Sequence, residues 1–264
     1  MAIVTTGFAT VLTLRQTDVM HNLHQDVIRN TVGFAPEQFY EALDLGENAS
    51  ASNGLLTIAH NAGDREATAQ TALNYGADVI EVDVISVGDR LYAAHDIPND
   101  RIGSITFRGP TLESIWSTAA DQARIELDLK EYSSRFLNLL VSFLSDRGGG
   151  EGVIISSKSP GAIATLHHTL PDATLMYSVG DQGALASLQS SDALVDEIDG
   201  VSIRASLLDD DTIAWLKDHD LLVYAWTVND FTLAEQLVDL GVDGITTENL
   251  ALLEHYDEGL AAQP

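Results

Sequence analysis

From residue 55 onward, short runs of Val, Ile and Leu alternate with segments of helical length whose apolar side chains recur every three or four positions. Continuous apolar runs of strand length suit strands buried on both faces, and their alternation with amphipathic helices predicts repeated β-α units and a parallel sheet. Eight strands are expected, at residues 55–60, 79–84, 124–129, 153–156, 174–179, 200–203, 222–228 and 244–246, with an extra hairpin-like strand at 91–94 extending the second unit. Ser159-Pro160 and the run Asp209-Asp210-Asp211 suit the first turns of helices, while Gly76, Gly148 to Gly150 and Gly241 fall where helices should stop. The aspartate run lacks the spaced ligands and glycine of a calcium loop. Eight units in this order predict an α/β fold of the (β/α)8 TIM-barrel type, with its active site at the carboxyl ends of the strands.

The first 54 residues lie outside the repeat. Helices are expected at 17–31 and 35–45, followed by a small polar linker at 48–54, so the chain divides into an N-terminal helical extension (1–54) and a barrel (55–264). The extension reads as a cap over the closed end of the barrel or an oligomer contact, with a lid as the functional alternative.

At 264 residues the chain matches one such barrel, which typically needs about 250. With 40 acidic residues against 13 basic ones, the net charge of −27 argues against nucleic acid or an anionic membrane as a partner, since both demand a basic footprint. Only three lysines are present, Lys130, Lys158 and Lys217, and an acidic, lysine-poor surface is expected of a protein kept soluble in concentrated salt. The absence of cysteine removes disulfides and thiolate metal sites. Residues 1–14 are mildly apolar but carry no positive n-region, which sets a cytoplasmic location without stable membrane anchoring as the expectation.

The chemistry concentrates at strand ends. In a strand, residues i and i+2 point to the same face, so Glu81 with Asp83, and Asp128 with Lys130, each project together. Carboxylates set this way beside a lysine suit a divalent cation, Mg²⁺ or Ca²⁺, completed by phosphate oxygens of a small-molecule substrate. His60 ends the first strand and His95-Asp96 follows the hairpin strand, giving two imidazoles for proton transfer. Glu126, one pleat deeper than Asp128, is either a buried structural acid or the third ligand; the acid-x-Lys spacing favours Asp128. Trp226 is either core or a wall of the substrate cleft. His21, His24, His167, His168, His219 and His255 fall in helices or at their ends and are expected at the surface.

Five motifs then coincide in order: Ile58-Ala59-His60; the run from Gly76 to Val84 containing Glu81-Val82-Asp83; His95-Asp96; Trp226-Thr227-Val228-Asn229; and Gly241-Val242-Asp243-Gly244-Ile245-Thr246-Thr247. Across residues 55–250 the chain thereby resembles the glycerophosphodiester phosphodiesterases and the wider phosphatidylinositol-phosphodiesterase-like superfamily. The resemblance implies His60 and His95 as general acid and base, Glu81, Asp83 and Asp128 as ligands of one divalent cation, and Lys130 as a phosphate contact. It implies hydrolysis of glycerophosphodiesters to glycerol phosphate and an alcohol. The family's His-Arg-Gly motif is replaced here by His60-Asn61-Ala62-Gly63, which leaves Asn61 as a substrate-contact candidate and removes one phosphate-binding cation unless Arg65 folds back to supply it. A short loop after Asp96 and the Asp128-Leu129-Lys130 motif are similar to spider-venom phospholipase D, so a lyase releasing a cyclic phosphate from lipid headgroups is one alternative. A non-catalytic barrel binding phosphorylated ligands is another, and a metal-dependent aldolase a third, although an aldolase has no need of the second histidine.

Overall fold

The computed structural model describes residues 54–98 and 107–257. The helices expected at 17–31 and 35–45, the linker apart from Gly54, and His21 and His24 lie outside the described residues.

Eight parallel strands close on themselves. They are β1 (Leu56–Ala59), β2 (Val79–Val87), β4 (Arg124–Leu129), β5 (Val153–Ser157), β6 (Thr174–Val179), β7 (Gly200–Arg204), β8 (Leu222–Trp226) and β9 (Gly244–Thr247). Each pairs with the next, and β1 pairs with both β9 and β2, which completes the barrel. The helices that alternate with them are α1 (Glu66–Asn74), α2 (Leu112–Ala119), α3 (Ser134–Ser145), α4 (Pro160–Thr169), α5 (Gln182–Gln189), the short α6 (Asp192–Val195), α7 (Asp210–Asp218), α8 (Phe231–Leu240) and α9 (Leu250–Tyr256). Their caps are those the sequence announces. Ser159 accepts from the backbone N–H of Ala162 with Pro160 in the first turn, Asp209 accepts from that of Thr212, and Gly241 takes the left-handed conformation (φ 94°) that ends α8.

The hairpin strand β3 (Arg90–Ala93) lies antiparallel to the far end of β2. The carbonyls of Asp83 and Val84 are taken by the N–H groups of Ala94 and Lys130, on opposite edges of β2. Because β1 pairs with β2 no further than Ile80, β3 occupies the edge that β1 vacates and carries the residue after Ala94, His95, to the barrel mouth. Two expected strand ends move inward: β1 stops at Ala59 and β8 at Trp226, because beyond them the chain leaves the ladder to form the loops of that mouth.

Alternation along the strands separates two apolar regions. Ile80, Val82, Val84, Ile125, Leu127 and Leu129 face outward into the layer between sheet and helices. Ile58, Val79, Ile154, Met176 and Tyr224, with Leu56 and Leu222 against them, fill the closed half of the barrel. Gly244 makes room for the Tyr224 ring, since a Cβ there would lie 2.9 Å from its Cδ1. Above this plug the inner face turns polar, with Glu81, Asp83, Glu126, Ser156, Ser178, Ser202 and Thr246 all buried.

Candidate active site

The register of β2 and β4 sets Glu81 beside Glu126 and Asp83 beside Asp128, so two rungs of the barrel interior each carry a pair of acids. Carboxylate oxygens of Glu81, Asp83 and Asp128 all lie within 4.8 Å of one another. Lys130 follows on the same face of β4, donates a hydrogen bond to Asp128 Oδ2 and places its Nζ 2.7 Å from Asp83 Oδ1. The second contact is an ion pair without hydrogen-bonding angles, so both oxygens of Asp83, together with Asp128 Oδ1 and Glu126 Oε2, remain buried without a hydrogen-bond partner. Buried carboxylate oxygens left over in this way are costly and are what a hard cation would satisfy. The residues therefore fit a divalent ion.

The titration of the cluster reflects this crowding. Burial first, and Asp83 second, push Glu81 well above the usual carboxylate range. Burial also raises Asp128, against the lowering effect of Lys130. Burial and the Asp128 charge carry Glu126 up to about 7, partly offset by the hydrogen bond from Ser156. Burial alone would lower Lys130, but Asp128, Asp83 and Glu81 outweigh it and hold the ammonium charged.

His60 follows β1, and its backbone N–H donates to the carbonyl of Thr247 at 2.9 Å. Its ring Nδ1 is 2.9 Å from Glu248 Oε1, and the ring is mostly covered, with 22% of the side chain exposed. Asn61 has a left-handed backbone (φ 53°), which lets its N–H donate to Glu81 Oε2 while its amide lies over the His60 ring, 3.3 Å from both ring nitrogens. His95 is more open, with 55% of the side chain exposed, and its Nδ1 is 3.0 Å from Asp96 Oδ1. Trp226 stands at the end of β8 beneath the guanidinium of Arg204, which lies 5.3 Å from its ring centroid.

Two acids escaped the sequence reading. Glu248 sits after β9 and joins the site through His60; its place in the Thr247-Glu248-Asn249 segment after the last strand was the available signal. Asp64 lies in a 3-10 turn after His60 and accepts the backbone N–H of Asp83 at 3.1 Å, and burial together with the Asp83 charge raises it well above the usual range. Only the chain's return against β2, close enough that a Cβ on Gly63 would meet the Glu81 carbonyl at 2.9 Å, makes Asp64 a neighbour of the cluster. Arg65 caps the start of α1, and His167, His168, His219 and His255 lie in or just after helices.

Residues 108–252, more than half of the chain, match the sequence profile of the glycerophosphoryl diester phosphodiesterase family. The chain belongs to that family. Its members are phosphoric diester hydrolases. Solved structures share the fold. A phosphodiesterase of Oleispira antarctica, in complex with the product sn-glycerol-3-phosphate, superposes with a TM-score of 0.62 at 18% identity, covering 80% of this chain and 98% of its own. A glycerophosphodiester phosphodiesterase of Parabacteroides distasonis gives 0.65 at 20% identity, covering 79% and 98%. A glycerophosphodiester phosphodiesterase of Agrobacterium tumefaciens gives 0.59 at 16%, covering 77% and 99%. No curated protein sequence matches the chain.

Proposed function

We propose that the protein hydrolyses glycerophosphodiesters to glycerol phosphate and an alcohol, with one Mg²⁺ or Ca²⁺ ion held by Glu81, Asp83 and Asp128. The observation that carries this reading is the convergence of those three carboxylates, three of whose oxygens are buried without a hydrogen-bond partner, next to a lysine. A bound divalent ion supplies positive charge to a non-bridging phosphate oxygen. Lys130, already at the cluster, neutralises part of the charge that grows on the phosphoryl group. One of His60 and His95 takes the proton of the attacking water and the other gives a proton to the leaving oxygen. Glu248 holds the Nδ1 side of His60, which leaves Nε2 for substrate. Asn61 fixes Glu81 through its backbone and covers the imidazole with its side chain, while Trp226 walls the cleft. Product glycerol 3-phosphate in the Oleispira enzyme supports the same product here.

The decisive experiment is ³¹P NMR of a panel of glycerophosphodiesters and one intact phospholipid, incubated with protein and Mg²⁺ or Ca²⁺, then with a chelator. A glycerol phosphate resonance that disappears on chelation is expected. A cyclic phosphate in its place would assign the lyase reaction, and no turnover of any substrate would overturn the hydrolase reading. His60→Ala and His95→Ala should each lower kcat by at least about 100-fold, while calorimetric cation binding persists; near-normal turnover in either variant would remove that histidine from the mechanism.

A further inference from the structure

The wall of the barrel opposite the acids carries a cation that the hydrolytic chemistry does not use. In the closed strand order β2 is second and β7 sixth of eight, so Arg204, ending β7, faces the acid cluster across the mouth. Whereas Lys130 is committed to two carboxylates, Arg204 is exposed and has no acidic side chain within ion-pair distance among the described residues. Its guanidinium carbon lies 5.3 Å from the centroid of the Trp226 ring. That ring in turn reaches toward the end of β6, where a Cβ on Gly180 would lie 3.8 Å from its Cη2. An open cavity of about 420 Å³ is lined there by Arg204, Ala205, Ser206, Trp226, Thr227 and Leu233. In a chain of net charge −27, a guanidinium set over an aromatic ring with no carboxylate in ion-pair range among the described residues stands out from its surroundings.

Resting on the hydrolase reading above, we propose that Arg204 and Trp226 form a subsite for a second negative group, a phosphate or carboxylate, on the alcohol of the diester. A guanidinium offers forked donors that match such oxyanions, and its place over the Trp226 ring sets it beside the cleft. The same placement disfavours the opposite headgroup. A quaternary ammonium is ordinarily held on an aromatic face, and here that face already carries a protein cation that would repel it. With phosphorus at the acid cluster, the alcohol extends across the mouth and its terminal anion reaches the far wall.

The test uses the full chain loaded with Mg²⁺ or Ca²⁺ at fixed ionic strength, and three diesters that share the glycerophosphoryl half: one ending in glycerol phosphate, one in glycerol and one in choline. The wild-type kcat/KM should rank them in that order. Arg204→Gln should lower the ratio of kcat/KM between the phosphate-bearing and the neutral diester by roughly 10- to 100-fold, the scale of one lost hydrogen bond to a charged group, mainly through KM, and Arg204→Lys should restore part of it. A ratio unchanged by Arg204→Gln, or a wild type that prefers choline, overturns the subsite while leaving the hydrolase reading intact. If the wild type cleaves none of the three, the hydrolase reading fails by itself, and calorimetry with glycerol 1,3-bisphosphate decides the subsite: equal affinity for wild type and Arg204→Gln overturns it, a tenfold loss supports it.

Discussion

His60 is fixed from two directions, by the Glu248 carboxylate on Nδ1 and the Asn61 amide over its ring, whereas among the described residues His95 has the exposed Asp96 on its Nδ1. An imidazole held in one tautomer reacts from a defined nitrogen, and an acid on Nδ1 stabilises the imidazolium that forms when Nε2 takes a proton. Glu248→Gln keeps the size of the side chain and removes that charge. It should lower kcat by about 10-fold or more with little change in KM, and move the pH profile of kcat; an unchanged profile would reduce Glu248 to a packing contact. The two acids of β4 are separable in the same manner. Asp128 stands with Glu81 and Asp83, while Glu126 is held by Ser156 a rung deeper. Asp128→Asn should weaken divalent-ion binding on the order of 100-fold in calorimetry, because it removes a charged ligand from a buried set. Glu126→Gln, replacing a buried acid that has one partnerless oxygen, should change affinity by less than about 10-fold and leave the protein at least as stable. The reverse outcome would make Glu126 the third ligand.

At the scale of elements, the closed end of the barrel is tied by a repeated device. Asp78, Asp199 and Asp243 each stand one residue before a strand, and each accepts the backbone N–H of a residue at the start of an adjacent strand: Thr57 at 2.8 Å, Leu175 at 2.7 Å and Val223 at 2.7 Å. The donors are strand-start amides that lack a ladder partner at that end, and Lys217 reaches the same Asp243 oxygen. Asp243→Ala should cost about 1–3 kcal/mol, the usual range for orphaning a buried donor, read as a lower urea midpoint with kcat unchanged per folded molecule; an unchanged midpoint would show that water replaces the carboxylate without loss. The acids themselves are visible in Ala77-Asp78-Val79, Ile198-Asp199-Gly200 and Val242-Asp243-Gly244, but their role depends on which strands become neighbours, which no local pattern states. Legibility divides on this line throughout. Strand positions, helix caps and the paired directions of Glu81 with Asp83 and Asp128 with Lys130 follow from periods of two and 3.6 residues, and the structure places them so. The partners Glu248, Asp64 and Arg204 come from the closure of the barrel, from a turn that folds back on β2, and from a strand on the opposite wall, contacts between residues up to 188 positions apart.

At the scale of the whole molecule, charge is the dominant feature. Forty acids against 13 basic residues leave a net charge of −27, so most carboxylates have no lysine or arginine to pair with one to one. Such a surface opposes the compact state through self-repulsion, and its range is set by ionic strength, with a Debye length of about 10 Å at 0.1 M salt and about 3 Å at 1 M. The two scales of charge respond differently. Surface repulsion is screened by any salt, whereas the buried oxygens of Asp83 and Asp128 are out of reach of the ionic atmosphere and respond to a ligated ion. A saturating divalent ion at 100 times its Kd should add about 2.7 kcal/mol of stability by mass action, an increment that the roughly 100-fold weaker site of Asp128→Asn cuts to about 0.4 kcal/mol at the same concentration. Monovalent salt should act beneath it: in chelator, the thermal midpoint should rise steadily from 0.1 to 1 M KCl, by a similar amount in wild type and in Asp128→Asn. A midpoint indifferent to KCl would show that the acidic surface exacts no folding penalty at low salt, and would remove salt adaptation as the reason for the composition. A KCl effect present in wild type and absent from Asp128→Asn would instead locate the salt response in the acid cluster itself.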